Sequence, residues 1–178
     1  MRTLLAAACA LMLAPGPAAA QKSLEYAVKA NYLVKFAAFV EWPPSAFAAA
    51  ASPVIVCVVG RDPFGAVIDR AAAAHSVGGR SVAVRRLDRV DARSGCHIAY
   101  LGDPTAQTTA QTLQALAAAP VLTVTDSDHS RQRGMVHFAL ADSRVRFHMD
   151  AEAAQRARLS ISSRLLSLAL SVKGGRRS

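Results

Sequence analysis

Long apolar runs, assembled catalytic motifs and cysteines are all scarce in this chain. The one N-terminal apolar stretch, residues 4–13, falls well short of the ~20 residues that span a bilayer, and no later stretch approaches that length. No G-x-S-x-G nucleophile elbow and no H-E-x-x-H zinc helix occurs. The five histidines, His75, His97, His129, His137 and His148, include no i, i+4 pair. Cysteine is limited to Cys9, Cys57 and Cys96. These gaps leave no assembled catalytic residue set, metal cage or cofactor loop, so no catalytic residue, metal or cofactor is expected. A binding or regulatory role gains weight.

What is present begins with an export signal. Arg2 precedes the apolar run, and Ala18, Ala19 and Ala20 precede the polar pair Gln21 and Lys22, which is the layout of a signal peptide with a small-residue cleavage site. Residues 1–20 are therefore expected to be removed, leaving residues 21–178 as one soluble periplasmic domain. Lipidation at Cys9 is the competing reading, but cleavage there would leave only a stub of the apolar run. Net charge is +9, and arginine outnumbers lysine by 17 to 4. In a cytosolic protein this balance would point to nucleic acid. Export excludes that partner and leaves anionic headgroups, an acidic protein face or a small anion. Compositional bias of the coding sequence is the plainer explanation of the same excess.

Two cysteines remain after processing, an even number in an oxidising compartment, so a Cys57–Cys96 disulfide is the default. It would close a loop of about 40 residues, worth roughly 4 kcal/mol on the chain-entropy estimate. Two buried, unpaired thiols are the alternative.

Apolar positions at helical spacing, Leu24, Ala27, Val28, Leu33, Val34, Ala37 and Val40, predict a helix over 24–40, with Lys29 and Lys35 off the apolar face. Trp42, Pro43 and Pro44 end it. The β-branched run over 54–59 reads as a strand buried on both faces, with a turn and helix start at 61–63 and a helix over 64–74. Strands follow over 81–86, 98–101 and 121–125, with a helix over 105–118 between the last two. A hairpin over 135–149 comes next, and Asp150 is expected to cap one long closing helix to about residue 172. The pattern predicts a mixed α/β fold with a mostly parallel central sheet flanked by helices, a C-terminal hairpin and a long closing helix.

Weak site signals remain. The Gly60 to Gly65 turn has the glycine spacing that opens a phosphate loop, but Ala66 and Val67 stand where Lys and Ser or Thr belong; an anion at the helix start, or a bare connection, is what it leaves. His129 beside Asp126 and Asp128 is the best metal candidate, against an ordinary polar turn. His137 and His148 face each other across the expected hairpin. Phe36, Phe39 and Trp42 form either a partner-binding aromatic patch or packing of the first helix on the sheet. Gly134 and Met135 read as turn and core.

Several segments together resemble the YfiR/HmsC-like family: the opening stretch 26–43 (YAVKANYLVKFAAFVEWP), the Cys57 strand with its turn 60–65 (GRDPFG), 96–101 (CHIAYL), 121–126 (VLTVTD), 134–138 (GMVHF), 145–147 (VRF) and 159–166 (LSISSRLL). They cover nearly all of the expected mature chain in the family's order. The resemblance implies a periplasmic, non-enzymatic negative regulator. Its partner would be an inner-membrane signalling protein, a diguanylate cyclase bound through its periplasmic sensor domain, with effects on cyclic di-GMP and biofilm; a homodimer is a further expectation. Cys57 and Cys96 match the family's paired cysteines, while a second pair that some members carry near 126–134 has no counterpart here. Phe39, Glu41, Trp42 and Pro43 are the expected partner-binding residues. The alternative function is a periplasmic small-ligand or anion binding module that reports to a transporter or sensor kinase.

Overall fold

The computed structural model describes residues 17–103 and 106–174. Residues 1–16 of the expected signal peptide, and Thr105 at the expected start of the third helix, lie outside them.

Three strands form the centre because their sequences bury both faces. β2 (Val54–Gly60), β5 (Ile98–Gly102) and β6 (Leu122–Asp126) are almost entirely buried, as expected of strands covered by helices on either side. β4 (Arg80–Leu87) alternates more and lies outside β2, with the two-residue β3 (Ser76–Val77) at the edge. β7 (Val136–Ala141) and β8 (Arg144–Asp150) make the predicted hairpin, turning through Asp142 and Ser143, both at positive φ.

The eight-stranded sheet is completed by β10 (Ser171–Lys173) and runs β10-β8-β7-β6-β5-β2-β4-β3. β4, β2, β5, β6 and β7 are mutually parallel. Numbered within that set, their order is 2-1-3-4-5, one of the two common doubly wound arrangements, with its switch point between β2 and β5. The mixed, mostly parallel α/β fold is thus as the periodicity indicates. α1 (Pro17–Phe36) and α2 (Ala66–Ala73) share one core with the sheet. Cys57, Val59, Ala99 and Leu101 pack in a second core with Leu116 of α3 (Thr109–Leu116). On α1, Tyr32 and Phe36 pack against Phe138 and Phe147 of the hairpin, with ring centroids 5.3–6.1 Å apart.

Three expectations need correction. The first helix does not run to Val40: it ends at Phe36, tightens into a 3-10 turn (Ala37–Phe39), and Val40 turns extended to open β1 (Val40–Glu41). The helices expected over 64–74 and 105–118 are shorter, because Asp62 caps the turn before α2 and the Thr108 capping box starts α3. The long closing helix is absent. Asp150 does cap a helix, but α4 (Ala151–Arg156) stops after six residues, with Arg158 at φ 61°. β9 (Ser160–Ile161) then pairs antiparallel with β1, Ser162 caps α5 (Ser163–Leu168), and β10 adds a parallel edge to β8. Serines that compete for backbone hydrogen bonds favour caps over helix interiors, so the leucine spacing there overstates the helix.

Candidate functional site

In a doubly wound sheet the carboxyl ends of the strands at the switch point are where ligands ordinarily bind. Here that edge is filled from within. Asp126, at the end of β6, is fully buried, and so is Lys29 of α1. Lys29 Nζ lies 2.6 Å from Asp126 Oδ2 and 3.7 Å from Asp128, and it donates to Glu25 one helical turn back. Tyr100 Oη donates to the same Asp126 oxygen at 3.3 Å, and the Asp128 N–H donates to the other at 3.1 Å. Tyr26 Oη sits 2.8 Å from His129 Nε2, and its ring lies 4.9 Å from the Lys29 ammonium. Lys22 closes the outer side on Asp128.

The electrostatics follow from this packing. Burial, reinforced by Asp126, raises the phenols of Tyr26 and Tyr100 well above their ordinary value, so both stay neutral donors. For Asp128, burial opposes ionisation, but the Lys22 hydrogen bond and the Lys29 and Lys22 charges outweigh it and hold the carboxyl below its usual range. The Asp128 hydrogen bond likewise lifts Lys22.

This arrangement answers the metal question locally. Asp126 and Asp128 converge on an ammonium, not on a shared open position, and His129 turns to Tyr26. Among the described residues no group of three His, Cys, Asp or Glu side chains is placed to hold a metal ion. Lys29 is the residue that sequence reasoning misplaced. Its spacing to Tyr26 and Leu33, three and four residues, already put it on the buried face of α1.

The other candidates fall in separate places. Cys57 and Cys96 are bonded, with Cα atoms 5.8 Å apart, joining β2 to the residue that leads into β5. Next to Cys96, His97 accepts from the Ile55 N–H at Nδ1 (3.0 Å), stacks on Phe47 at 4.4 Å, and its carbonyl accepts from Trp42 Nε1 (3.2 Å). His97 Nε2 is buried without a hydrogen-bond partner among the described residues, and burial pushes the ring below the ordinary imidazole value. Of the expected partner-binding residues, Phe39, Trp42 and Pro43 are half-buried and Glu41 is exposed. In the Gly60 turn, Asp62 Oδ1 accepts from the N–H groups of Phe64 and Gly65, so a carboxylate of the chain's own occupies the position an anion would take. His137 and His148 do pair across the hairpin, ring centroids 6.5 Å apart, each bonded to a hydroxyl, Thr125 and Ser171. Thr125 is fully buried and also accepts from the Gly134 N–H.

What these features define is a disulfide-stapled α/β domain whose polar groups at the switch edge are committed to one another. The sequence pattern of the YfiR/HmsC-like family matches residues 26–170, and the chain belongs to that family. No curated protein matches it. No described helix is long and apolar enough to cross a membrane.

Proposed function

We propose that the protein is exported, is cut between Ala20 and Gln21 to leave one domain over 21–178, and works in the periplasm as a regulator without catalysis of its own. In this reading it holds an inner-membrane diguanylate cyclase inactive by binding the cyclase's periplasmic sensor domain, which lowers cyclic di-GMP and biofilm formation. The family match over residues 26–170 is the observation that carries it. Membership supports a periplasmic regulatory role at the level of the family, and the Cys57–Cys96 bond suits an oxidising compartment.

Binding alone can deliver such control. Shifting a receptor from almost wholly active to almost wholly inactive requires about 5.5 kcal/mol of preference for one of its two states. The segment Phe39, Glu41, Trp42 and Pro43 is proposed as one contact. Glu41 is its exposed member, so Glu41→Arg probes the contact without disturbing the Trp42 anchor on His97. Co-purification from an envelope extract, with mass spectrometry of what remains bound, tests the reading. A membrane cyclase should be retained. If no membrane signalling protein is retained, the regulatory reading fails and the small-ligand module takes its place.

A further inference from the structure

α1 carries two apolar stripes. One, with Tyr26, Ala30, Leu33 and Val34, is buried against the sheet. The other, Leu24, Val28 and Tyr32, follows i, i+4 spacing along one side of the helix. Tyr32 packs on the hairpin aromatics, but Val28 and Leu24 are 37% and 67% exposed. Leu140, near the hairpin turn, is 49% exposed as well. These three are among only five large apolar side chains so exposed in the described residues, and all three line one groove. The groove has a volume of about 710 Å³, part of it against Ala20 of the segment proposed to be removed, and runs between the N-terminal half of α1 and the tip of the β7–β8 hairpin. Clustering of this kind is the mark of an interaction surface, whereas scattered apolar residues are not.

Charge selects the occupant. Arg144 and Arg146 of β8 line the groove, both are exposed, and neither forms an ion pair or side-chain hydrogen bond with any described residue. The chain as a whole is at +9. A second copy meeting this face in an isologous contact would bring four unpaired arginines into one interface, which is unfavourable, while the groove's one carboxylate, Glu25, is already held by Lys29. A bilayer is entered by protruding apolar side chains, and this surface is concave.

We propose that the groove between α1 and the hairpin seats an amphipathic segment of the membrane partner, apolar along its inward face and carrying Asp or Glu opposite Arg144 and Arg146. The assignment rests on the regulatory reading and names its docking surface. Leu24, Val28 and Leu140 supply the desolvated centre, and the two arginines fix register and orientation.

In-cell photo-crosslinking on the full-length exported protein tests it, with the crosslinking amino acid placed singly at Val28, Leu140, Glu41 and, as a distant control, Gln114. The expected result is capture of an inner-membrane protein from Val28 and Leu140 through a peptide that contains apolar and acidic residues. Arg144→Glu with Arg146→Glu should lower that capture by about tenfold, while Lys35→Glu leaves it unchanged. A thermal melt confirms that the reversed protein is folded, and Arg144→Gln with Arg146→Gln serves if it is not. Capture of a membrane protein from Glu41 alone overturns the groove and leaves the regulatory reading standing. Capture of a second copy, or of lipid, at the groove overturns the acidic-partner assignment. Silence at every position overturns the groove and the regulatory reading together.

Discussion

A single buried ammonium decides how the carboxyl edge of this sheet is used. Asp126 is fully buried, so removing Lys29 strands a carboxylate in the interior; Lys29→Met should lower stability by roughly 3–5 kcal/mol in urea unfolding. Adding Asp126→Asn should restore part of the loss, because the fully buried carboxylate is then neutral while Glu25 still lacks its ammonium. A loss below about 1 kcal/mol for Lys29→Met would place the ammonium in water. Histidines supply a second residue-scale test. Burial lowers His97 and His137, in each case as the largest influence, and His148 follows the same direction. The unfolded chain then binds protons that the folded one does not, so stability should fall as pH drops through about 6.5. The lowered carboxyls of Asp128, Asp69 and Asp150 contribute stability above about pH 4, which is lost on further acidification. Melting temperature followed from pH 8 to pH 3 should show both declines, and His137→Gln should flatten the first. A melting temperature unchanged between pH 7.5 and 5 would contradict the burial of these rings.

Among the elements, β2 and β5 are held together at both ends by different means. Near the start of β5 the disulfide clamps them, and removing it with Cys57→Ser should cost roughly 2–5 kcal/mol. Cys96 adjoins His97, which anchors the chain's only tryptophan, so the same substitution or reduction should change Trp42 fluorescence. Unchanged emission on reduction would show the two features to be independent. At the carboxyl end the strands approach so closely that a Cβ on Gly102 would lie 2.3 Å from the Arg61 carbonyl oxygen. Gly102→Ala should therefore destabilise by about 1–3 kcal/mol, read as a shift of the unfolding midpoint. The central strands were legible because β-branched runs buried on both faces have few other uses, and the cysteine pair because nothing else was left to bond. The closing segment was not legible. Its leucines keep helical spacing, while the pairing of Ser160 and Ile161 with Glu41 and Val40 joins residues about 120 positions apart. Lys29 was misread for a related reason: a lysine at a core spacing is assigned to solvent until its partners, nearly 100 residues away on the β6 loop, are in view.

Taken whole, the molecule is a sheet with its usual ligand edge closed by α1 and an apolar, arginine-rimmed groove left open beside the hairpin. That combination is compatible with the regulator proposed above, for which the family match is the supporting observation. The measurement that bears most directly on the regulatory account is intracellular cyclic di-GMP in three strains: wild type, a strain lacking the gene, and that strain carrying the gene again. The account predicts a rise on deletion, with greater surface attachment, and a return to the wild-type level on complementation. Cyclic di-GMP that stays at the wild-type level after deletion would contradict it.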